Sequence, residues 1–261
     1  MELLKKHFVY VIGLILIGIL CSYVLVAVPH GETFPLLEKS FYLLGLGLNT
    51  TVLLWTIATY LLYRWFKTKR TNLSLLIWSL SFYVYSITFI AHIFRAFGIV
   101  DANENTSPIH FFLYRMGMIF FAAGILNGLL RILTENKKTQ SYPSLIAIII
   151  GFFLFILGLF IIPSPNPIEL TMYIFLFTIW IPICFTMAYI FFYYGKNAKL
   201  IGPKVIAIGF IGICITYAAW APWHFSDVIY MYFIWYFLFM LSLVPVLIGF
   251  ITLALETGKS S

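Results

Sequence analysis

The chain has 261 residues, of which 62% are hydrophobic and 10% charged, and its mean hydropathy is +1.01. A soluble domain carries roughly 25% charged residues, so this chain cannot cover a water-facing surface. That excludes a nucleic-acid binder despite the net charge of +7, and equally a disulfide-stapled secreted domain or a disordered chain.

A helix needs about 20 mostly apolar residues to cross a bilayer. Eight such spans are predicted, over 7–28, 39–66, 73–98, 108–133, 144–163, 169–195, 203–224 and 228–255. The expected fold is all-α, a polytopic integral membrane helical bundle of eight transmembrane helices in one domain, 1–261. Lys5 and Lys6 precede the first span, whose apolar run is long for a signal peptide, and no A-x-A site precedes Pro29. It reads as an uncleaved span.

The second span carries a row of Tyr42, Gly45, Asn49, Val52, Thr56 and Tyr60 at helical spacing. In the third, Ser74, Trp78, Ser81, Tyr85, Thr88, His92 and Arg95 recur at steps of three and four, which places them on one face. The fourth offers Gly117, Gly124 and Gly128, a small-residue face for close helix packing. The first and fifth spans are the plainest and are expected at the lipid-facing periphery. The sixth offers Thr171, Phe175, Thr178, Pro182, Tyr189 and Tyr193, and the seventh Gly209, Gly212, Thr216, Trp220 and Trp223. Polar residues in such rows point to the bundle interior. The stretch 203–255 is too long for one span and reads as a hairpin turning at Phe225-Ser226-Asp227.

Basic residues alternate in side along the loops. One face collects Lys5, Lys6 and the clusters at 64–70, 131–138, 196–204 and Lys259, whereas the other has Lys39, Arg95 and Arg115. The positive-inside rule then puts both termini in the cytoplasm of a multi-pass plasma-membrane protein.

No Asp or Glu is predicted deep in the hydrocarbon, which disfavours proton-coupled pumping. The ionisable groups at membrane depth are His92, Arg95 and Arg115, all in the outer half. With Tyr85, Asn49, Trp220, Trp223 and His224 they are expected to line a basic, aromatic pocket for an anionic or amphiphilic small molecule. Candidates are a carboxylate, a phosphate headgroup or a quinone-like ring, because the arginine fork matches planar anions. The structural alternative is snorkelling to lipid phosphates, or pairing of Arg95 with Asp101 or Glu104 and of Arg115 with Asp227. No catalytic set is present. No cofactor or metal is expected, although His92 with His110 or His224 would be the pair for a haem b. Cys21, Cys184 and Cys214 form no C-x-x-C and read as small buried hydrophobes. A subunit of a larger membrane complex and a transporter, the latter drawing on Pro182, Pro222 and Pro245, are the other functional readings.

The basic inner turn Arg64-Trp65-Phe66-Lys67-Thr68-Lys69-Arg70, the span ending His92-Ile93-Phe94-Arg95-Ala96-Phe97-Gly98 and the short loops give a layout that resembles the multi-span sensor modules preceding histidine kinase domains in bacteria and archaea. The resemblance implies reception of a signal at the membrane. No kinase domain follows residue 261, so the expected partner is a separate membrane or signalling protein, alongside the lipid bilayer and the small ligand.

Overall fold

The computed structural model describes residues 37–96, 108–160, 171, 174–224 and 229–258, of which 37–44, 46, 91–96, 108–112, 158–160, 219–224 and 229–234 are described in backbone only. The first predicted span and the turn 225–227 lie outside the described residues. The described residues are helical apart from short turns: α1 Leu37–Lys67, α2 Leu73–Ala96, α3 Pro108–Leu133, α4 Lys137–Phe160, a π-turn at Leu176–Trp180 running into α5 Ile181–Asn197, then α6 Gly202–His224 and α7 Ile229–Gly258. Among the described residues five stretches are long and apolar enough to cross a membrane, in α2, α3, α4, the π-turn with α5, and α7. In hydrocarbon a helix is the one open-ended element that satisfies its own backbone polar groups.

α1 packs on α2, α2 on α3, α3 on α4, α5 on α6 and α6 on α7, and α1 also packs on α7, so α1, α2, α3, α5, α6 and α7 enclose a common core. The α2–α3 seam joins two rows visible in the sequence. Trp78, Ser81, Tyr85 and Thr88 of α2 stand against Gly128, Gly124, Phe121 and Gly117 of α3, in antiparallel order. The glycines leave room for the Ser, Thr and Trp side chains, and Trp78 Nε1–H donates to the Ile125 carbonyl at 3.1 Å. Across α1–α2, Trp55 Nε1–H donates to Ser86 Oγ at 2.8 Å and Ser79 Oγ–H to the Ala58 carbonyl at 2.7 Å.

Two rows are oriented differently from the sequence reading. In α1 the buried face runs through Thr50, Leu54, Ile57, Ala58 and Leu61, while Val52 is exposed. The polar row read there marks the flank of the helix, and its aliphatic face meets the core. In the sixth span, Thr171 and Phe175 are buried as expected, yet Tyr189 is 62% exposed and Tyr193 58%. The cause is the π-turn. It inserts one extra residue, which rotates everything after it by about 100°. The inward face beyond it becomes Ile183, Cys184, Met187, Ala188 and Phe191.

Helix α4 begins at Lys137, seven residues ahead of the apolar run expected to start at 144. Asn136 caps it, its Oδ1 accepting from the Lys138 N–H at 3.0 Å. Buried Gln140 then ties the polar first turns to α3: its carbonyl accepts from Asn127 Nδ2 at 2.8 Å, and its Nε2 donates to the Thr134 carbonyl at 2.7 Å. Otherwise α4 stands at the periphery, packed on α3, with Ile146, Ile149, Phe153 and Ile156 exposed.

Trp78 also sets the ends of the bundle. Its ring lies 5.7 Å from both Phe191 of α5 and Phe250 of α7. The start of α2 and the ends of α3, α5 and α7 therefore share one level. Glu256 joins the start of α6 to the same end, its two carboxylate oxygens accepting from the Ile201 and Gly202 N–H groups at 2.9 and 3.0 Å. Arg64, Lys67, Lys69, Arg70, Arg131, Lys137, Lys138, Lys196, Lys199 and Lys204 all belong to this end, whereas Lys39, Arg95 and Arg115 belong to the other half.

Candidate functional site

Arg115 lies about two turns into α3, counted from the end opposite the basic one. It is only 6% exposed. A charge at such a depth is costly in hydrocarbon, and intramembrane charges characteristically line sites or pathways. Arg115 and Ile119 of α3 form one wall of a cavity of about 10 Å³; Gly151, Leu154 and Phe155 of α4 form a second, and Thr171 and Phe175 of the sixth span a third. The volume is close to that of one water probe, so the space as it stands admits a small polar group, with Arg115 and Thr171 as its polar lining. Gly151 shapes it: a Cβ there would fall 2.7 Å from Ile119 Cγ1.

Tyr85, the second predicted site residue, has other surroundings. It is fully buried and its hydroxyl is hydrogen-bonded to that of Tyr217 in α6. Its ring stacks on Phe121 at 4.4 Å and lies 5.1 Å from Trp180 and 5.9 Å from Phe239. Trp180, delivered by the π-turn, fits between Phe121 at 5.1 Å and Tyr217 at 5.0 Å. Its indole is fully buried with no partner for Nε1–H. Trp235 completes the group. It donates Nε1–H to the Thr216 carbonyl at 2.6 Å and lies flat over Phe239 at 5.8 Å.

Asn49 is half-buried on α1. His92 and Arg95 occupy the last turns of α2, and Trp220, Trp223 and His224 the last turns of α6. Their side chains lie outside the described residues, as does that of His110 at the start of α3. All five belong to the same half of the bundle as Arg115, since α2 and α6 both start at the basic end. The cavity beside Arg115 is built from α3, α4 and the sixth span, and Tyr85 is not among its walls. Among the described residues no three His, Cys, Asp or Glu side chains come together.

Sequence reasoning missed Thr171, Phe175 and Gly151 as neighbours of Arg115, and missed the Tyr85–Tyr217–Trp180 cluster. Thr171 and Phe175 stood in a recognised row, but nothing in one sequence links that row to Arg115. The Pro182 ring, which forbids a regular helical bond behind it, was the local signal for the π-turn. Compared with known proteins, the chain matches no family model, no curated protein and no solved structure.

Proposed function

We propose that this chain is a multi-pass membrane protein of the sensor or ligand-binding type, in which Arg115 holds the acidic head of a small anionic or amphiphilic molecule. The observation that supports it is the burial of Arg115 on the wall of a cavity whose other faces are apolar apart from Thr171. A guanidinium fork presents paired donors to a carboxylate or phosphate, and phenyl rings such as Phe155 and Phe175 suit the apolar body behind such a head. In this reading eight spans place both termini in the cytoplasm of a plasma-membrane protein. The gathering of basic residues at one end supports that orientation. His92, Arg95, Asn49, Trp220, Trp223 and His224 supply the outer mouth of the site, Tyr85 is its inner support, and a separate membrane or signalling protein receives the output.

The test is native mass spectrometry of the protein extracted gently from its own membrane. The expected result is a bound small mass that is lost in Arg115→Ala while the far-ultraviolet helical signal is kept. Retention of the same mass by Arg115→Ala would overturn the assignment.

A transporter is the second reading. The π-turn followed by Pro182 interrupts the sixth span next to the cavity, and interrupted helices mark many transport sites. Ligand uptake into reconstituted vesicles, rather than binding alone, separates the two.

A further inference from the structure

Two helices end in the same motif at the basic end. At the end of α1 the Arg70 N–H donates to the Trp65 carbonyl at 3.1 Å, and at the end of α5 the Leu200 N–H donates to the Gly195 carbonyl at 3.0 Å. Each is the six-to-one bond of a Schellman cap, whose left-handed residue, just before the donor, is usually glycine. Here that residue is Lys69 at φ 51° and Lys199 at φ 56°, and Arg70 follows at φ 63°. A Cβ makes this conformation unfavourable, and glycine avoids the strain. Every described non-glycine residue with positive φ is thus a cation.

The turns themselves do not require charge. A cation does favour a helix C-terminus, but Arg64, Lys67 and Lys196 already supply that from ordinary helical positions. Lys69, Arg70 and Lys199 are exposed. The Arg70 guanidinium folds back, its carbon 5.2 Å from the Phe66 ring centre and 5.8 Å from that of Trp65. Lys67 Nζ sits likewise 5.6 Å from the Tyr63 ring. These rings belong to the last two turns of α1, and Trp and Tyr are the residues that favour the lipid headgroup level. Arg70 is thereby held against the rings at the end of α1.

We propose that the two capping turns form a contact surface for acidic phospholipid headgroups, with Lys69, Arg70 and Lys199 as its phosphate-binding cations. The surface lies at the end of the bundle away from Arg115 and stands independently of any ligand there. Clustered cations beside a span gain from each anionic headgroup they meet.

The experiment compares the full-length protein in nanodiscs of phosphatidylcholine alone and of an equal mixture with phosphatidylglycerol. Thermal unfolding midpoints and the lipids retained in native mass spectrometry are read. Wild type is expected to unfold at a higher temperature with phosphatidylglycerol. The Lys69→Gly/Lys199→Gly variant is expected to unfold no lower than wild type in phosphatidylcholine, because strain is relieved, yet to lose most of the phosphatidylglycerol-dependent rise. Its preference for retaining phosphatidylglycerol falls about fivefold for each cation removed. The Lys69→Asn/Lys199→Asn variant tolerates the left-handed backbone without charge and must lose the rise equally, whereas Lys69→Arg/Lys199→Arg must keep it. A full rise in both neutral variants overturns the proposal. So does an equal rise on adding inorganic phosphate to phosphatidylcholine discs, which would identify a soluble anion as the partner.

Discussion

Tyr85 of α2 and Tyr217 of α6, 132 residues apart in the chain, share a hydrogen bond between their hydroxyls across the middle of the bundle. Both rings are buried, so neither hydroxyl has water to turn to. Removing one strands the other, at about 1–3 kcal/mol. Tyr85→Phe and Tyr217→Phe should each lower unfolding stability by that amount, and the double variant should cost little more than one single. A double-mutant cycle on detergent unfolding midpoints checks this. Losses that simply add would mean the hydroxyls act separately.

Glu256 should matter far more than an exposed acid at a helix end normally does. Its carboxylate accepts from both the Ile201 and Gly202 N–H groups, capping α6 from α7. Charged capping at a helix N-terminus is worth about 1–2 kcal/mol. Glu256→Ala is expected to lose that stability and to speed hydrogen exchange at residues 201 and 202, leaving the centre of α7 protected. Unchanged exchange there would sink the capping role.

Two glycines of α7 should respond in opposite ways to the same substitution. A Cβ on Gly249 would fall 2.6 Å from the Ile206 backbone nitrogen and 2.8 Å from the Gly202 carbonyl oxygen, both of which are backbone atoms of α6. Gly249→Ala must part the two helices, at about 1–3 kcal/mol. A Cβ on Gly258 meets nothing within 4 Å, so Gly258→Ala should be neutral or gain up to about 1 kcal/mol. Equal effects on the unfolding midpoint would contradict the α6–α7 approach.

The π-turn can be tested by tryptophan scanning. Tyr189→Trp and Tyr193→Trp, on the outward face of α5, should leave stability within about 0.5 kcal/mol of wild type. Met187→Trp, fully buried, should cost about 1–3 kcal/mol by overpacking. A regular helix would put residues 189 and 193 on the buried side and reverse the pattern.

The site beside Arg115 has its own steric test. Gly151→Ala would place a methyl group against Ile119 at the cavity wall. If the cavity receives a ligand head, this variant should weaken retention of the small mass while the unfolding midpoint moves by less than about 1.5 kcal/mol. An undiminished bound mass would remove the cavity from the ligand's path.

Much of this protein is legible in one dimension. Apolar run length sets helix positions, because lipid leaves a spanning chain few backbone options. The Trp78–Ser81–Tyr85–Thr88 row and the Gly117–Gly124–Gly128 row were readable because helical spacing puts each on one face. That they pack against each other follows from chain adjacency. What the sequence could not reveal is any change of phase or any partner distant in the chain. One extra residue at Leu176–Trp180 turned the expected inner row Tyr189–Tyr193 outward, since a periodicity argument holds only while the helix keeps its pitch. Arg115 announced itself as a charge at depth, but its neighbours Gly151 and Thr171 come from other helices. Tyr217 was never a candidate until α6 was packed opposite α2. Local spacing determines which residues share a face. Only tertiary packing decides which face meets which, because that choice depends on volume and hydrogen bonds between segments far apart in the chain.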